Sequence, residues 1–435
     1  MCIRDRKSTQ FFTYVVLFFI VILSCNYDSK PNQTTLSINY LQGEIDSLDA
    51  ELTKISEETV IPGFATTVLH GDEVIYSKGF GYADIENKHK FSSQTVHTLA
   101  SVSKTVIGVA ILKLVEDGKL KLDDPINDYL SYSISSPHYP ETPITIRHLI
   151  THTSSLNDDY DEGEKRPSLL IERPRYSLDE MPRQLIADID YWDGTILSLD
   201  KYIERIFTPT GAWYAKSNFS NFEPGMKYEY SNEGANLAGL IVEKASGISF
   251  SEFTQKHVFQ PLNMTHTYWA YTVLDSTVSK WYILNEENSS SKVFEFPRAN
   301  ESGQPSGDLK SNAGDLSKYM IDMINGFKGK GKLLNKESYQ ILLGPQQNRA
   351  IFTEDDASAL NDDYDVGAFW AISKPGYRLH KGGSIGVFSI LYFNPQNDVS
   401  VISYCNLPHP DFGKIVNLLK SFEESITELP AESTR

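Results

Sequence analysis

The sequence contains little cysteine, with 3 residues in 435. So few thiols exclude a fold held by a network of disulfides, and the hydrophobic core must stabilise the domain instead. Cys405 ends the apolar run Val399–Cys405, where a cysteine is expected to be buried in a strand.

Excess positive charge is also lacking. The 57 acidic residues outnumber the 40 lysines and arginines, and the formal net charge is −17. Nucleic-acid binding depends on a basic face that neutralises phosphates, so we expect no nucleic-acid partner. The sequence also has no repeat of 20–50 residues, which argues against a repeat architecture.

No apolar run is long enough for a comfortable membrane span. The run from Phe11 to Leu23 follows Lys7 and has the length of the apolar region of a signal peptide. It ends in Leu23-Ser24-Cys25, which resembles a bacterial lipobox. We therefore predict a lipoprotein signal peptide over residues 1–24, a lipid on Cys25, and export to the periplasm or cell surface with the lipid as membrane anchor. Residues 1–6 resemble translated sequencing adapter and do not enter this prediction.

Strand signals occur near both ends of the chain. Residues 64–69 and 73–79 predict one hairpin, and residues 386–393 and 399–405 predict another. Helical spacing of apolar residues occurs at 44–55, at 102–115 and from Asp411 onward. We predict an α/β protein of the α+β type, in which both termini build an antiparallel sheet flanked by helices. We further predict a tether at 25–43, before the domain, and a mainly helical lobe inserted into the domain at about 126–305. The main domain spans 44–428 and leaves a tail at 429–435.

The pattern Ser-x-x-Lys occurs three times, at Ser101–Lys104, Ser198–Lys201 and Ser289–Lys292. The last lies in a polar turn, and Ser198 is placed to cap a short helix. Only Ser101 opens a long apolar helix, with Lys104 one turn along the same face. A helix N-terminus and burial both disfavour a charged lysine, so Lys104 could take the proton of Ser101. From this segment alone, an N-cap serine beside a solvent-directed lysine remains an alternative.

Two further motifs follow in the chain. Tyr-x-Asn occurs at Tyr230, Tyr392 and Tyr404, and the last two fall within the predicted terminal strands. Tyr230-Ser231-Asn232 instead precedes a helical segment. His380-Lys381-Gly382 is the one His-x-Gly in the sequence and leads into a strand.

Together, Ser101–Lys104, Tyr230–Asn232 and His380–Gly382 resemble the three active-site elements of the serine β-lactamase and penicillin-binding-protein superfamily. The Tyr-x-Asn and His-x-Gly forms are similar to those of its class C, D-alanyl-D-alanine carboxypeptidase and esterase branch. The resemblance covers about residues 45–425, including segments 79–84, 144–154, 261–264 and 313–316. One departure is Ser155, where glycine often follows His-Thr-Ser in this family.

The resemblance implies a serine hydrolase that works through an acyl-enzyme. Ser101 would attack a carbonyl, and Lys104 and Tyr230 would take its proton and protonate the leaving group. Asn232 would hold Lys104 and contact the substrate. The substrate would be a small molecule or peptide with an amide or ester, such as a D-alanyl peptide of peptidoglycan, a short ester or a β-lactam. The resemblance implies no cofactor and no metal.

The third element is implied to bind substrate. The N–H groups of Ser101 and Gly383 would form the oxyanion hole, and Gly382 belongs to the same binding strand. His380 would contact a substrate carboxylate or support Tyr230. An unperturbed histidine titrates around 6.5, so the cleft would carry less positive charge near neutral pH than one with lysine there.

Other sites have their own candidate residues. Gly382–Gly386 matches the Gly-x-Ser-x-Gly elbow around Ser384, followed by Asp398 and His409, but an elbow needs a helix where a strand is predicted. His148 and His152 stand four apart without the glutamate of a zinc motif, so we predict structural roles for both. Residues 157–163 suggest a calcium loop but depart from its spacing, which favours a solvated acidic loop.

A different class of function is a catalytically silent sensor or peptide-binding module on the same fold. The presence of Ser101, Lys104 and Tyr230 favours the enzyme over this alternative.

Overall fold

The structure is a computed structural model that describes residues 33–158, 168–170, 196–271, 276–285, 292–346 and 363–427. By its internal contacts the chain divides into residues 1–43 and residues 44–435. Within the described ranges, no helix combines the length and the apolar character needed to cross a membrane.

The described residues form alternating groups of strands and helices. The α-helices are α1 (Gln33–Glu58), α2 (Lys104–Glu116), α3 (Ile146–Ile150), α4 (Leu199–Phe207), α5 (Asn232–Ser246), α6 (Phe250–Thr254), α7 (Gln304–Gly307), α8 (Ala313–Phe327), α9 (Lys336–Leu343) and α10 (Phe412–Thr427). The strands are β1 (Gly63–His70), β2 (Glu73–Asp84), β3 (His89–Lys90), β4 (His97–Thr98), β5 (Ser168–Leu170), β6 (Trp281–Asn285), β7 (Lys292–Phe296), β8 (Ala299–Glu301), β9 (Lys310–Ser311), β10 (Asp363–Val366), β11 (Ala371–Ser373), β12 (Arg378–Ser384), β13 (Val387–Asn394) and β14 (Val399–Cys405).

The large sheet has eight antiparallel strands in the order β10-β11-β12-β13-β14-β1-β2-β3. Strands from the two ends of the domain meet at its centre, where Ala65 of β1 lies opposite Tyr404 of β14. The prediction of an antiparallel sheet built from both termini is therefore confirmed.

The centre of the sheet is covered on both faces. All seven residues of β14 and the first seven of β1 are buried, whereas a strand with one solvated face alternates. Helices α8 and α10 both pack against β14. Ten of the thirteen residues of α2 are buried, because this helix crosses the core and packs against α5 and α9.

Two helix boundaries differ from the predicted ones. A 3₁₀ helix (Ala100–Ser103) precedes α2, so the α-helix proper begins at Lys104. Helix α1 begins at Gln33, although we predicted a tether over residues 25–43. Residues 33–42 contain neither proline nor glycine, so nothing in them interrupts a helix that starts after Pro31.

Candidate active site

The 3₁₀ helix that carries Ser101 is anchored on both sides. Ser389 Oγ of β13 donates a hydrogen bond of 2.6 Å to the carbonyl of Leu99, and Ser103 Oγ donates one of 2.6 Å to the carbonyl of Ala100. Ala100 has φ 46°, in the left-handed region that costs free energy for a residue other than glycine. The surrounding contacts therefore hold a strained turn directly before the serine.

Lys104 connects the first two motifs. Its side chain is fully buried, and its Nζ lies 3.2 Å from Ser101 Oγ. The same nitrogen donates to Asn232 Oδ1 at 2.7 Å and to the carbonyl oxygen of Ser306 at 2.6 Å. It also lies 4.9 Å from the centre of the Tyr230 ring. The predicted pairing of Ser101, Lys104, Tyr230 and Asn232 is thus present as a set of contacts.

Tyr230 lies on the open side of this group. Burial raises its pKa above the ordinary value for a tyrosine, and the interaction of its side chain with Ser101 acts in the opposite direction. Although 38% of the residue is exposed, its side chain interacts with Ser101, and both residues line the same cleft. Tyr230 is therefore a neutral phenol at physiological pH, able to donate a proton.

The second motif sits at the N-terminus of α5, where Asp158 holds it. The Asp158 carboxylate accepts hydrogen bonds from Ser231 Oγ at 2.8 Å, from Asn232 N at 2.5 Å and from Glu233 N at 3.1 Å. Ser231 Oγ in turn accepts from Gly234 N, as an N-cap does. A negative charge at a helix N-terminus is stabilising, so Asp158 fixes the start of α5.

The third motif lies on β12. The Nδ1–H of His380 donates to the carbonyl of Lys381 at 2.7 Å. Burial, with the positive charges of Lys104 and Lys381, lowers the pKa of His380 to about 3. The ring is therefore neutral near pH 7, and the sequence-based expectation of a histidine titrating around 6.5 does not apply in this environment.

Gly382 allows β12 to approach the serine closely. A Cβ at position 382 would lie 2.2 Å from the carbonyl oxygen of Leu99 and 3.1 Å from the backbone nitrogen of Ser101. A Cβ at Gly383 would meet only the Phe388 ring, at 3.2 Å. The predicted oxyanion pair, Ser101 and Gly383, thus belongs to two segments in direct contact.

Three of these residues line one cleft with a volume of about 290 Å³. Ser101, Tyr230 and His380 form part of its wall, together with His152, Tyr228 and Phe369. Val366, Ala371 and Leu379 add an aliphatic part to the wall, which suits a ligand with an apolar portion.

The structure also tests the alternative sites that lie within its described residues. Strand β13 follows Ser384 directly, so the Gly-x-Ser-x-Gly segment has no helix and cannot be a nucleophile elbow. Ser198 caps α4 by accepting from Lys201 N, as predicted. His148 Nδ1 accepts a hydrogen bond from Thr145 N, which gives it a structural role. Ser289 and Cys25 lie outside the described residues.

Three contributors to this site were not predicted as such. Ser306 acts through its backbone carbonyl, for which no side-chain pattern exists. Asp158 belongs to the segment that suggested a solvated acidic loop, yet its carboxylate binds the start of α5. His152, for which we predicted a purely structural role, lies in the wall of the cleft. The His-Thr-Ser sequence around it was the available signal.

The structure shows how the chain accommodates Ser155, the residue that departs from the family pattern. It has φ 60°, a backbone conformation that favours glycine, and its Oγ donates a 2.7 Å hydrogen bond to the carbonyl of Phe222. The serine is therefore accommodated at some strain and gains a buried hydrogen bond.

Three elements define the class of penicillin-recognising serine hydrolases: a serine followed by a buried lysine at the start of one helix, a tyrosine before a second helix, and a strand of an antiparallel sheet beside the serine. The chain belongs to the Beta-lactamase family, whose profile matches residues 48–420. This membership confirms the resemblance drawn from the three motifs.

Two relatives share about a quarter of their residues with this chain. Protein flp of Staphylococcus aureus (strain COL) is 24% identical over 362 residues, which cover 83% of this chain and 63% of that protein. The chain therefore spans less than two thirds of its length. The human mitochondrial serine beta-lactamase-like protein LACTB is 26% identical over 432 residues, covering 86% of this chain and 76% of that protein.

Solved structures share the fold. EstCE1, described as a hydrolase with promiscuous acyltransferase activity, superposes with a TM-score of 0.65 at 19% identity, over 90% of this chain and 100% of that chain. A beta-lactamase/D-alanine carboxypeptidase from Yersinia pestis gives 0.64 at 17% identity, over 91% and 100%. At such identities the likeness establishes the fold alone.

Proposed function

We propose that the protein is a serine hydrolase that forms an acyl-enzyme on Ser101. The observation that carries this proposal is the position of Lys104 Nζ, 3.2 Å from Ser101 Oγ, while the same nitrogen also hydrogen-bonds the carbonyl oxygens of Asn232 and Ser306. Carbonyl oxygens only accept hydrogen bonds. A neutral amine would therefore direct both its N–H bonds to them and turn its lone pair toward the Ser101 hydroxyl.

The reaction we propose begins when Ser101 Oγ attacks the substrate carbonyl while its proton passes to Lys104. The negative charge that develops on the carbonyl oxygen would be met by the N–H groups of Ser101 and Gly383, each worth about 3 kcal/mol. Tyr230 would then protonate the leaving amine or alcohol, and Lys104 would return a proton to Tyr230. Attack of water on the acyl-enzyme would release the acid and restore Ser101.

We propose an amide or ester substrate: a D-alanyl peptide, a short ester or a β-lactam. The names of structural neighbours, which include a carboxypeptidase, a D-amino acid amidase and an esterase-like hydrolase, support this range. Among these, the neutral His380 favours substrates that do not depend on a cation at this position, such as short esters.

Covalent labelling tests the function directly. The protein should react with a fluorescent fluorophosphonate or penicillin, and Ser101→Ala should abolish the labelled band. Ser384→Ala and Ser198→Ala serve as controls and should keep the label, because one serine ends β12 and the other caps α4. Labelling that persists in Ser101→Ala would contradict the assignment, and a wild-type protein without label would favour the silent binding module.

We also propose that Cys25 carries a lipid that anchors the exported protein to a membrane, on the strength of the Leu-Ser-Cys sequence that ends the apolar run. Mass spectrometry of the mature N-terminus should find an acylated Cys25. Cys25→Ala should remain unprocessed or fractionate without membranes, and an unmodified N-terminus elsewhere would refute the proposal.

A further inference from the structure

His152 contacts the segment of Tyr230 in three ways. Its backbone carbonyl accepts a 2.7 Å hydrogen bond from Glu229 N, and its Nδ1 accepts one of 3.2 Å from Ser231 N. Its ring lies against the ring of Tyr230, with centroids 4.5 Å apart and planes inclined by 32°. One residue therefore binds the backbone N–H groups of both residues next to the tyrosine and one face of its side chain.

We propose that His152 is the positioning residue that holds Tyr230 in hydrogen-bonding reach of Ser101, an inference that rests on the proposed function of Tyr230 as a proton carrier. Tyr230 depends on such a support because it lies in a partly exposed segment before α5 and not within a helix or strand. Two backbone hydrogen bonds and a ring contact fix its backbone direction and its side-chain rotamer together.

The imidazole can act in this way only while it is neutral. A protonated ring would have no lone pair on Nδ1 and could not accept from Ser231 N. Burial, with the positive charge of Lys104, lowers the pKa of His152 well below 6.5. The proton then resides on Nε2, which is buried and has no hydrogen-bond partner in the part of the chain that the structure describes.

The aromatic surroundings account for this neutral state. The ring meets Tyr228 and Phe369 edge to face, with centroids 5.9 and 5.1 Å away, and the residue is 3% exposed. With Nε2 shielded from solvent, His152 acts through Tyr230 and not as a catalytic residue. Its backbone has φ 53°, a conformation that histidine and asparagine adopt more readily than most residues.

Two amide substitutions separate the positioning role from general stability. In His152→Asn, Oδ1 stands where Nδ1 was and can accept from Ser231 N. In His152→Gln the amide oxygen lies one bond farther out, near the position of Nε2. With a fluorogenic short ester, we expect His152→Gln to lower kcat about 10²-fold with KM nearly unchanged, because small displacements of a reacting group are this costly. We expect His152→Asn to keep kcat within about 5-fold of wild type.

Ser155→Ala is the matched control, because Ser155 lies on the same loop, also has positive φ and also loses a buried hydrogen bond. It should lower the melting temperature without changing kcat. Equal kcat in the Asn and Gln variants, or a loss confined to KM, would overturn the proposal.

A crystal structure of His152→Gln gives a readout without activity. It should show the Tyr230 hydroxyl displaced from Ser101. If Tyr230 stays in place, His152 does not position it, whether or not the wild type hydrolyses any ester. Should His152→Gln not fold, the structure of His152→Asn decides instead, since Oδ1 must accept from Ser231 N. A wild type without activity but with a displaced Tyr230 in the variant would refute the proposed function and leave the positioning role standing.

Discussion

The two motifs that meet at Lys104 are held by different interactions. Ser101 and Lys104 lie at the start of a helix surrounded by core residues, among them Val106 at 2% exposure and Ile107 at 0%. Tyr230 and Asn232 lie at a partly exposed helix start and are held by hydrogen bonds to Asp158 and His152. Apolar packing is spread over many contacts, whereas a few hydrogen bonds can be lost in a single substitution.

This difference predicts which substitutions will disturb the geometry. On the serine side, apolar packing acts together with the hydrogen bonds of Ser103 and Ser389, and the largest effects should come from changes that place atoms in the site or remove a reacting group. On the tyrosine side, single polar residues away from the reacting atoms should already lower the rate.

Removing the amine of Lys104 gives the largest expected effect. Lys104→Met keeps the length and burial of the side chain but removes the proton acceptor, so acylation should slow by about 10³-fold, within the range of general base catalysis. Stopped-flow or time-resolved labelling of Ser101 measures this rate.

Lys310→Met is the control, because Lys310 is equally buried but is paired with the Asp308 carboxylate. Burial raises the pKa of Asp308 to about 7, and loss of the lysine leaves that group without its counter-charge. We expect Lys310→Met to cost about 3 kcal/mol of unfolding free energy, measured by denaturation, with little change in the acylation rate of the folded protein. If Lys310→Met slowed acylation and kept the unfolding free energy of the wild type, the proposed difference between a reacting Lys104 and a structural Lys310 would be wrong.

Gly382→Ala tests the close contact between β12 and the serine. Its Cβ would fall 2.2 Å from the carbonyl oxygen of Leu99, so the strand or the 3₁₀ helix must shift. A shift of about 1 Å at the reacting atoms should lower the acylation rate about 10²-fold. Gly383→Ala should have a much smaller effect, since its nearest contact, the Phe388 ring, is 3.2 Å away. Similar rates for both variants would show that the approach of β12 is not critical.

The sequence predicted the side chains of the candidate site because each motif is local. Ser101 and Lys104 share a helix face by their spacing, and strands 387–394 and 399–405 follow from apolar runs around a turn. The contacts that hold the motifs are not local. Ser306 lies 202 residues from Lys104, and His152 lies 79 residues from Ser231.

The chemical type of these supporting groups is a second reason why the sequence did not predict them. Ser306 contributes a backbone carbonyl, which every residue type possesses. Asp158 stands in a run of acidic residues, and no feature of that run distinguishes the one carboxylate that reaches α5. The neutral state of His380 likewise depends on burial beside Lys104, which the local sequence does not specify.

Asp158→Ala should show how far the tyrosine side depends on single hydrogen bonds. It removes three hydrogen bonds to residues 231–233 and should cost about 1–3 kcal/mol of unfolding free energy. We expect the acylation rate to fall about 10-fold, because Asn232 and Tyr230 would no longer be held in their positions. Asn335→Ala removes the N-cap of α9, where Asn335 accepts from Ser338 N, and should cost stability without changing the rate. Equal rates in the two variants would mean that Asp158 only stabilises the fold.

The smallest expected effect concerns the charge of His380. With a pKa of about 3, the ring gains its proton only well below pH 5 and is neutral from pH 5 to 8. A substrate carboxylate is ionised throughout that range, because such groups titrate near 3–4. The ratio of kcat/KM for a carboxylate-bearing ester to that for a neutral ester should therefore change less than about 2-fold between pH 5 and 8.

His380→Gln, which is neutral at every pH, should give the same pH dependence of this ratio. If His380 were cationic at low pH and lost its proton near 6.5, the wild-type ratio would fall as pH rises through that value. A fall in the wild type that disappears in His380→Gln would therefore show that the ring titrates and attracts the carboxylate. A flat ratio in both proteins would mean that β12 contributes to the site through its backbone and Gly382, and not through a charge on His380.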